Sequence, residues 1–376
     1  MYLMSFNRYF GRINSPDDKG LHFFAASNTY LGFKSYFDGI FSPDEHNRIY
    51  ILKGGPGVGK STLMKQAASH AEKLGLTPVY YHCSSDPYSL DGIVIKQTGC
   101  VILDGTSPHT VDPSAAGVKE IIINMGECWD TGMLYACGKE ILSLIKQKSS
   151  CYGAAYKFLS AQKQIKDCLC DISRSCLLYG KIRADVDRKA AKLFRKAPSG
   201  NSDVKVRITA ANSCDGDVRF RTFEKLSERI YFIKDLRYTG EVYMKMMYHA
   251  ALKNGTETVV SYDPTDPGEI DALYFPEIST CFTPYDDDYC IELEKRGIGY
   301  SVVNMRRFTD TKAFSLNRSY YRFGEKCASQ MHAQALSCLN DAGALHRKIE
   351  KLYAPATDYA GVNEMTESLM QKIFDK

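Results

Sequence analysis

Short apolar runs and longer amphipathic stretches alternate along the chain. Ile49 to Leu52 is a four-residue apolar run, followed by the glycine-rich "KGGPGVGKS". From Ser61 the stretch "STLMKQAASHAEKL" is rich in helix formers and ends at Gly75, where a left-handed cap is common. Strand, loop and helix are predicted in that order. A second apolar run, Val101 to Leu103, closes on Asp104. Met133 to Gln147 and Tyr156 to Phe194 then place apolar residues three and four apart (Leu159, Ile165, Leu169, Ile172, Leu177, Ile182, Val186, Leu193) among Lys, Arg and Asp. That spacing predicts an antiparallel helical appendage. "RKAPSGNSD", Arg195 to Asp203, has the composition of a linker. The tail from Glu325 to Phe374 reads as helix again, interrupted at "YAPATDYAG".

The pattern occurs twice. "RIYILK" at Arg48 returns as "RIYFIK" at Arg229, an offset of 181. Downstream of the loop the offset is 180, with Met64/Met244, Lys65/Lys245, Gly75/Gly255, Asp86/Asp266, Pro87/Pro267, Asp91/Asp271, Asn124/Asn304 and Asp130/Asp310 among the matches. About thirteen identities over some sixty-seven ungapped positions mark a tandem duplication. The second loop is one residue shorter and has lost its glycines: "GGPGVGKST" becomes "DLRYTGEVY", which brings in Asp235 and Glu241. Carboxylates there repel anions, so the second loop is not expected to bind what the first does in the same way. Arg237 in that loop is a candidate finger for the first site, with an ordinary exposed loop arginine as the commoner reading.

The chain of 376 residues is 44% hydrophobic and 24% charged, which suits two domains with real cores. A formal charge of +4, with both signs interspersed, gives no stripe for nucleic acid. The thirteen cysteines lack CxxC spacing, so reduced thiols in a cytosol are expected. Cys168, Cys170 and Cys176 read as small core residues rather than a metal site. No signal peptide or membrane-spanning run is evident, and a cytoplasmic protein is expected.

Gly54, Gly59, Lys60 and Ser61 satisfy G-x-x-x-x-G-K-[ST]. Glycines let successive backbone N–H groups converge on phosphate oxygens, and the helix N-terminus adds partial positive charge. The candidate binding loop is Gly54, Gly55, Pro56, Gly57, Val58, Gly59, Lys60, Ser61 and Thr62, the ligand ATP. Lys60 is placed to neutralise the β- and γ-phosphates. Ser61 and Asp104 are the candidate Mg2+ ligands.

Comparison of the copies separates residues by fate. Asp86, Pro87 and Asp91 persist without the loop and read as turn and capping residues. Asp104, Thr106 and His109 become Pro284, Asp286 and Tyr289. Thr106 and His109 are therefore candidates to sense the γ-phosphate or orient water, though an ordinary loop role is equally open.

"HFFAASNT", "GFKSYFD", "ILKGGPGVGKSTLMK", "HCSSDPYSLDGIVI" and "LDGTSPHTVDP" resemble a family of tandem-repeat bacterial P-loop ATPases of largely unassigned role. More remotely, "GFKSYFD" ahead of the loop strand resembles the RecA-like ATPases. The family tends to carry the glycine-rich loop in both halves, and this chain departs from that. The expected fold is α/β: two tandem P-loop NTPase-like three-layer domains with mostly parallel sheets, each followed by a helical appendage. The first spans 1–200, with its appendage at about 133–195, and the degenerate second spans 204–376. A Mg-dependent ATPase or nucleotide-driven switch is the expected activity, with a protein partner or a second copy of the chain as open partners. Kinase lids usually carry arginine-rich loops, whereas Arg183, Arg188 and Arg195 lie on a long helix. A small-molecule kinase is therefore the second class, and a non-catalytic nucleotide-binding regulator the third.

Overall fold

A computed structural model describes Ile13, residues 20–194 and residues 203–374. Most of the linker Arg195–Asp203 and of the N-terminal segment lies outside the described residues.

Two six-stranded mixed sheets carry the fold. The first is ordered β1-β5-β6-β7-β4-β8, from β1 (Leu21–Phe24), β4 (Arg48–Lys53), β5 (Pro78–His82), β6 (Leu90–Ile95), β7 (Cys100–Asp104) and β8 (Glu120–Asn124). The second has the same order, β9-β13-β14-β15-β12-β16, from β9 (Val204–Val206), β12 (Arg229–Lys234), β13 (Thr258–Tyr262), β14 (Ile270–Phe275), β15 (Thr280–Pro284) and β16 (Ser301–Asn304). In each, the third strand of the order, β6 or β14, pairs antiparallel on both sides and the other three pairings are parallel. β5, β6 and β7 coincide with β13, β14 and β15 at the 180-residue offset, so the duplication is structural as well as textual.

Both faces of each sheet are covered, which explains why the strands alternate in destination while remaining apolar throughout. Ile49 and Ile51 of β4 face a core that also contains Ile230 and Phe232 of β12, so the two halves share one apolar interior. Tyr50 and Leu52 face the opposite way, against Leu63, Met64 and Ala67 of the helix Lys60–Lys73. Between the halves, the hairpins β2–β3 (Ala26–Thr29, Gly32–Ser35) and β10–β11 (Ala210–Ser213, Gly216–Arg219) meet at two buried asparagines. Asn28 Nδ2 donates to Asn212 O at 2.9 Å, and Asn212 Nδ2 donates to Asn28 O at 3.1 Å.

The long amphipathic stretches form helices, but their last segments are exchanged. A 38-residue helix, Gly138–Ser175, lies along its 36-residue counterpart, Arg318–Tyr353. The following helix of the first half, Tyr179–Leu193, buries Ile182, Val186 and Leu193 against Tyr243, Met244 and Met247 of the second half. The C-terminal helix, Tyr359–Phe374, buries Val362, Leu369 and Ile373 in the core of the first. Asp130 N donates to Ala356 O and Asp310 N to Cys176 O, each at 2.8 Å, and fix the crossings symmetrically. The appendage assigned by sequence to residues 133–195 of the first half thus ends on the second sheet. An apolar stripe specifies burial but not which sheet receives it.

No described helix is long and apolar enough to cross a membrane. All thirteen cysteines are free; Cys176 is buried, Cys170 half-buried and Cys168 exposed.

Candidate functional site

β4 ends at Lys53, and the loop Gly54–Gly59 turns the chain into the helix that starts at Lys60. Gly57 (φ +76°) and Gly59 (φ +98°) take backbone angles that L side chains rarely adopt. A Cβ on Gly55 would stand 3.1 Å from the Trp129 ring, and one on Gly57 would stand 3.3 Å from Glu350 O. Val58 is buried under the loop among Leu52, Leu63 and Met64. The helix has no side-chain cap at Gly59, so no side chain of its N-cap satisfies its first-turn N–H groups.

β7 is the direct parallel neighbour of β4, with Leu52 beside Asp104, so the loop and the carboxylate emerge together. Lys60 Nζ lies 3.5 Å from Asp104 Oδ2 and donates to Gly55 O at 3.0 Å and to Gly54 O. Thr106 does not reach out. Its hydroxyl and backbone N–H, at 2.5 and 2.9 Å, both donate to Asp104 Oδ1 and fix the carboxylate. Ser61 Oγ accepts from Leu90 N at 3.0 Å. Pro56 lies within the loop, and Thr62 is exposed on the first turn. His109 is placed elsewhere: its Nε2 is 3.1 Å from Asp91 Oδ2, and its ring stacks on Phe37. Asp86 does take the expected turn role, accepting from Tyr88 N at 3.1 Å. Asp91 does not; it sits in β6 with His109.

The second half's helices cover this loop. Glu350 and Tyr353 approach Gly57 and Gly55, Val362 approaches Gly59, and Tyr359 Oη donates to Gly57 O at 3.3 Å. Behind them, Lys148 Nζ lies 3.3 Å from His346 Nδ1, and Arg347 hydrogen-bonds Cys214. Burial, followed by the charges of Lys148, Lys60 and Arg347, holds the His346 pKa down at about 4. Burial also pushes the Glu350 carboxyl up, as does Asp86, against the pull of Arg347, Lys60 and Lys148. Burial lowers Lys65 and Lys148. Sequence reasoning missed His346, Arg347, Glu350 and Lys148 because they come from the two long helices far along the chain from the loop. The amphipathic period alone does not show which loop a helix will cover.

A base held below its ordinary value of about 6.5 binds fewer protons folded than unfolded. The stability associated with His346 is therefore intact above that value and is lost as pH falls toward 4. His346→Gln should gain on the wild type in urea midpoint as the pH drops from 7 to 5. Equal differences at both pH values would contradict the placement.

The second loop is built differently. Asp235 Oδ2 accepts from the backbone N–H of Thr239 and of Gly240, each at 2.6 Å, while Oδ1 accepts from Arg237 N and Thr239 Oγ1, each at 3.0 Å. Gly240 corresponds to Lys60. A carboxylate from the chain thus occupies the amides that face an anion in such a loop. Glu241, at the position of Ser61, is paired with Arg174 and with Lys245 at 3.0 Å. The adjoining cavity of about 250 Å³ is lined by seven carboxylates and three basic side chains. Arg237 packs over Phe314 at 3.7 Å within its own half. Asp286, in place of Thr106, caps the helix Asp287–Lys295 by accepting from Tyr289 N.

Compared with protein-family models, curated proteins and solved structures, the chain gives no significant match.

Proposed function

We propose that the protein is a Mg-dependent nucleoside triphosphatase, with ATP as the expected nucleotide, working as a switch between its two halves. Each chain has one active P-loop domain and one degenerate one. The observation that carries this reading is the contrast between the two loops. In the first, uncapped helix N–H groups, the Lys60 ammonium, the Ser61 hydroxyl and the Asp104 carboxylate converge at the ends of adjacent parallel strands. In the second, Asp235 fills the corresponding place.

The residues present fit a nucleotide and its metal. Glycines at 54, 55, 57 and 59 leave the loop backbone bare of Cβ atoms that would block an approaching phosphate. Lys60 rests on loop carbonyls and can turn its charge outward to phosphate oxygens. Ser61 and Asp104 supply the hard oxygen donors Mg2+ requires. Bound Mg·ATP would supply the phosphoryl group and part of the charge neutralisation. Thr106 holds Asp104 in one orientation, so the carboxylate pays no reordering cost. Because Glu350, Tyr353 and Tyr359 touch the loop from the other half, a change in loop conformation is felt directly across the exchanged helices.

Asp104→Asn keeps the shape and removes the charge. Phosphate release should fall by at least about 10- to 100-fold, the scale seen even for outer-shell partners of metals, with the far-ultraviolet circular dichroism unchanged. Normal turnover in that variant would place the metal-binding carboxylate elsewhere.

A further inference from the structure

One side-chain group lies beside the nucleotide loop without a part in that reading. Cys83 follows β5, Asp91 is in β6, and His109 is in the loop after β7. Among the described residues, their ligand atoms all lie within 4.8 Å of one another. Asp91 is 4% exposed and His109 7%. The imidazole is clamped between Phe37, stacked at 4.4 Å, and the edge of Phe33 at 4.8 Å. Its Nε2 stands 3.1 Å from Asp91 Oδ2 and pairs with that carboxylate. A carboxylate held this far out of water needs a cationic partner beside it.

The second copy shows what completes the aspartate there. Asp271 stands at the position of Asp91 and receives both arms of Arg219, at 2.5 and 2.8 Å. Arg219 pairs with Ala210 in its hairpin as Ser35 pairs with Ala26. Where one half has a guanidinium, the other has a neutral serine and gains a thiol and an imidazole instead: Cys83 for Asp263 and His109 for Tyr289. The retained carboxylate keeps a fixed cation in one copy and gains two metal-ligating side chains in the other.

We infer that Cys83, Asp91 and His109 form a binding site for a borderline-soft divalent transition metal, zinc above all, distinct from the Ser61/Asp104 site. A sulfur, nitrogen and oxygen donor set selects zinc over Mg2+, which prefers oxygen alone. For zinc bonds of about 2.0–2.3 Å, tetrahedral ligand atoms stand about 3.3–3.6 Å apart. The His109–Asp91 separation is close to that, and the widest separation in the group needs to contract by about 1 Å. Three protein ligands leave a fourth position for water or a further ligand. The site ties the loop after β7 to β6, one residue from Leu90, whose N–H is held by Ser61. It does not depend on the nucleotide reading.

Cobalt substitution tests this without a variant. Full-length protein, stripped with chelator, loaded with Co2+ and gel-filtered in excess Mg2+, should retain one Co2+ per chain. Its spectrum should show the near-ultraviolet thiolate-to-cobalt band and the strong visible bands of four-coordination. Zinc should displace the cobalt. Cys83→Ser should abolish the thiolate band, and His109→Asn should weaken zinc retention by at least about 10- to 100-fold. Absence of the band in the folded wild type would overturn the inference and leave a buried imidazole–carboxylate pair. So would its persistence in Cys83→Ser, which would trace the metal to another cysteine.

Discussion

Lys60→Ala is expected to weaken ATP binding by on the order of 100-fold or more, and to reduce phosphate release accordingly. The ammonium would make at least two charge-assisted hydrogen bonds to phosphate oxygens, each worth about 1.5–3 kcal/mol. Nothing else in the loop can replace that charge: Lys65 donates to Tyr88 O, and Lys148 sits against His346. The variant also frees Asp104 from its partner at 3.5 Å, adding repulsion toward an incoming triphosphate. Equilibrium binding of a fluorescent ATP analogue, alongside circular dichroism, measures the effect apart from folding. Unchanged affinity would remove the loop from the account.

Leu369→Ala is expected to cost about 2–5 kcal/mol, the range for emptying a well-packed leucine site. Its damage should appear in the first half although the residue belongs to the second repeat. Leu369 is 2% exposed and packs in the core formed by the loop helix and the outer face of the first sheet. Amide hydrogen exchange should therefore rise in Lys60–Lys73, with weaker nucleotide binding, while Gly240–Lys253 is less affected. Leu193→Ala should do the reverse, because Leu193 packs with Tyr243 and Met244. If each variant instead loosened its own repeat, the exchange of helices would be contradicted.

Much of this was legible in the chain, for reasons that differ by element. The strand, loop and helix around Gly54 were legible because backbone conformation, glycine placement and helix propensity all act within twenty residues. Gly75 indeed takes φ +75° just beyond the helix. The duplication was legible because both copies keep the same turns, down to Asp86 and Asp266, which cap Tyr88 N and Gly268 N. The role of Asp235 was half legible. Its charge was visible, but its use as a built-in anion for Thr239 and Gly240 depends on a left-handed Tyr238 (φ +53°) that turns the loop back on itself. A carboxylate four and five residues ahead of a helix's first amides, in place of a glycine, was the available signal.

What remained hidden was long-range. Nothing local shows that Glu350, Tyr353 and Tyr359 cover the first loop, because an amphipathic helix satisfies the same pattern on either sheet. Asp91 read as a turn residue because it follows "DPYSL", yet it lies inside β6 facing His109. Its counterpart Asp271 is likewise buried but is paired with Arg219, from the hairpin position that Ser35 takes in the first copy, a contact no local pattern announces.

The central claim is that each chain has one nucleotide site, made by the first loop and closed off in the second by Asp235. Calorimetric titration of the full chain with a non-hydrolysable ATP analogue and Mg2+ tests it most directly. The account predicts one site per chain, lost in Lys60→Ala and retained in Glu241→Ala. Two sites per chain, or a single site that survives Lys60→Ala, would contradict it.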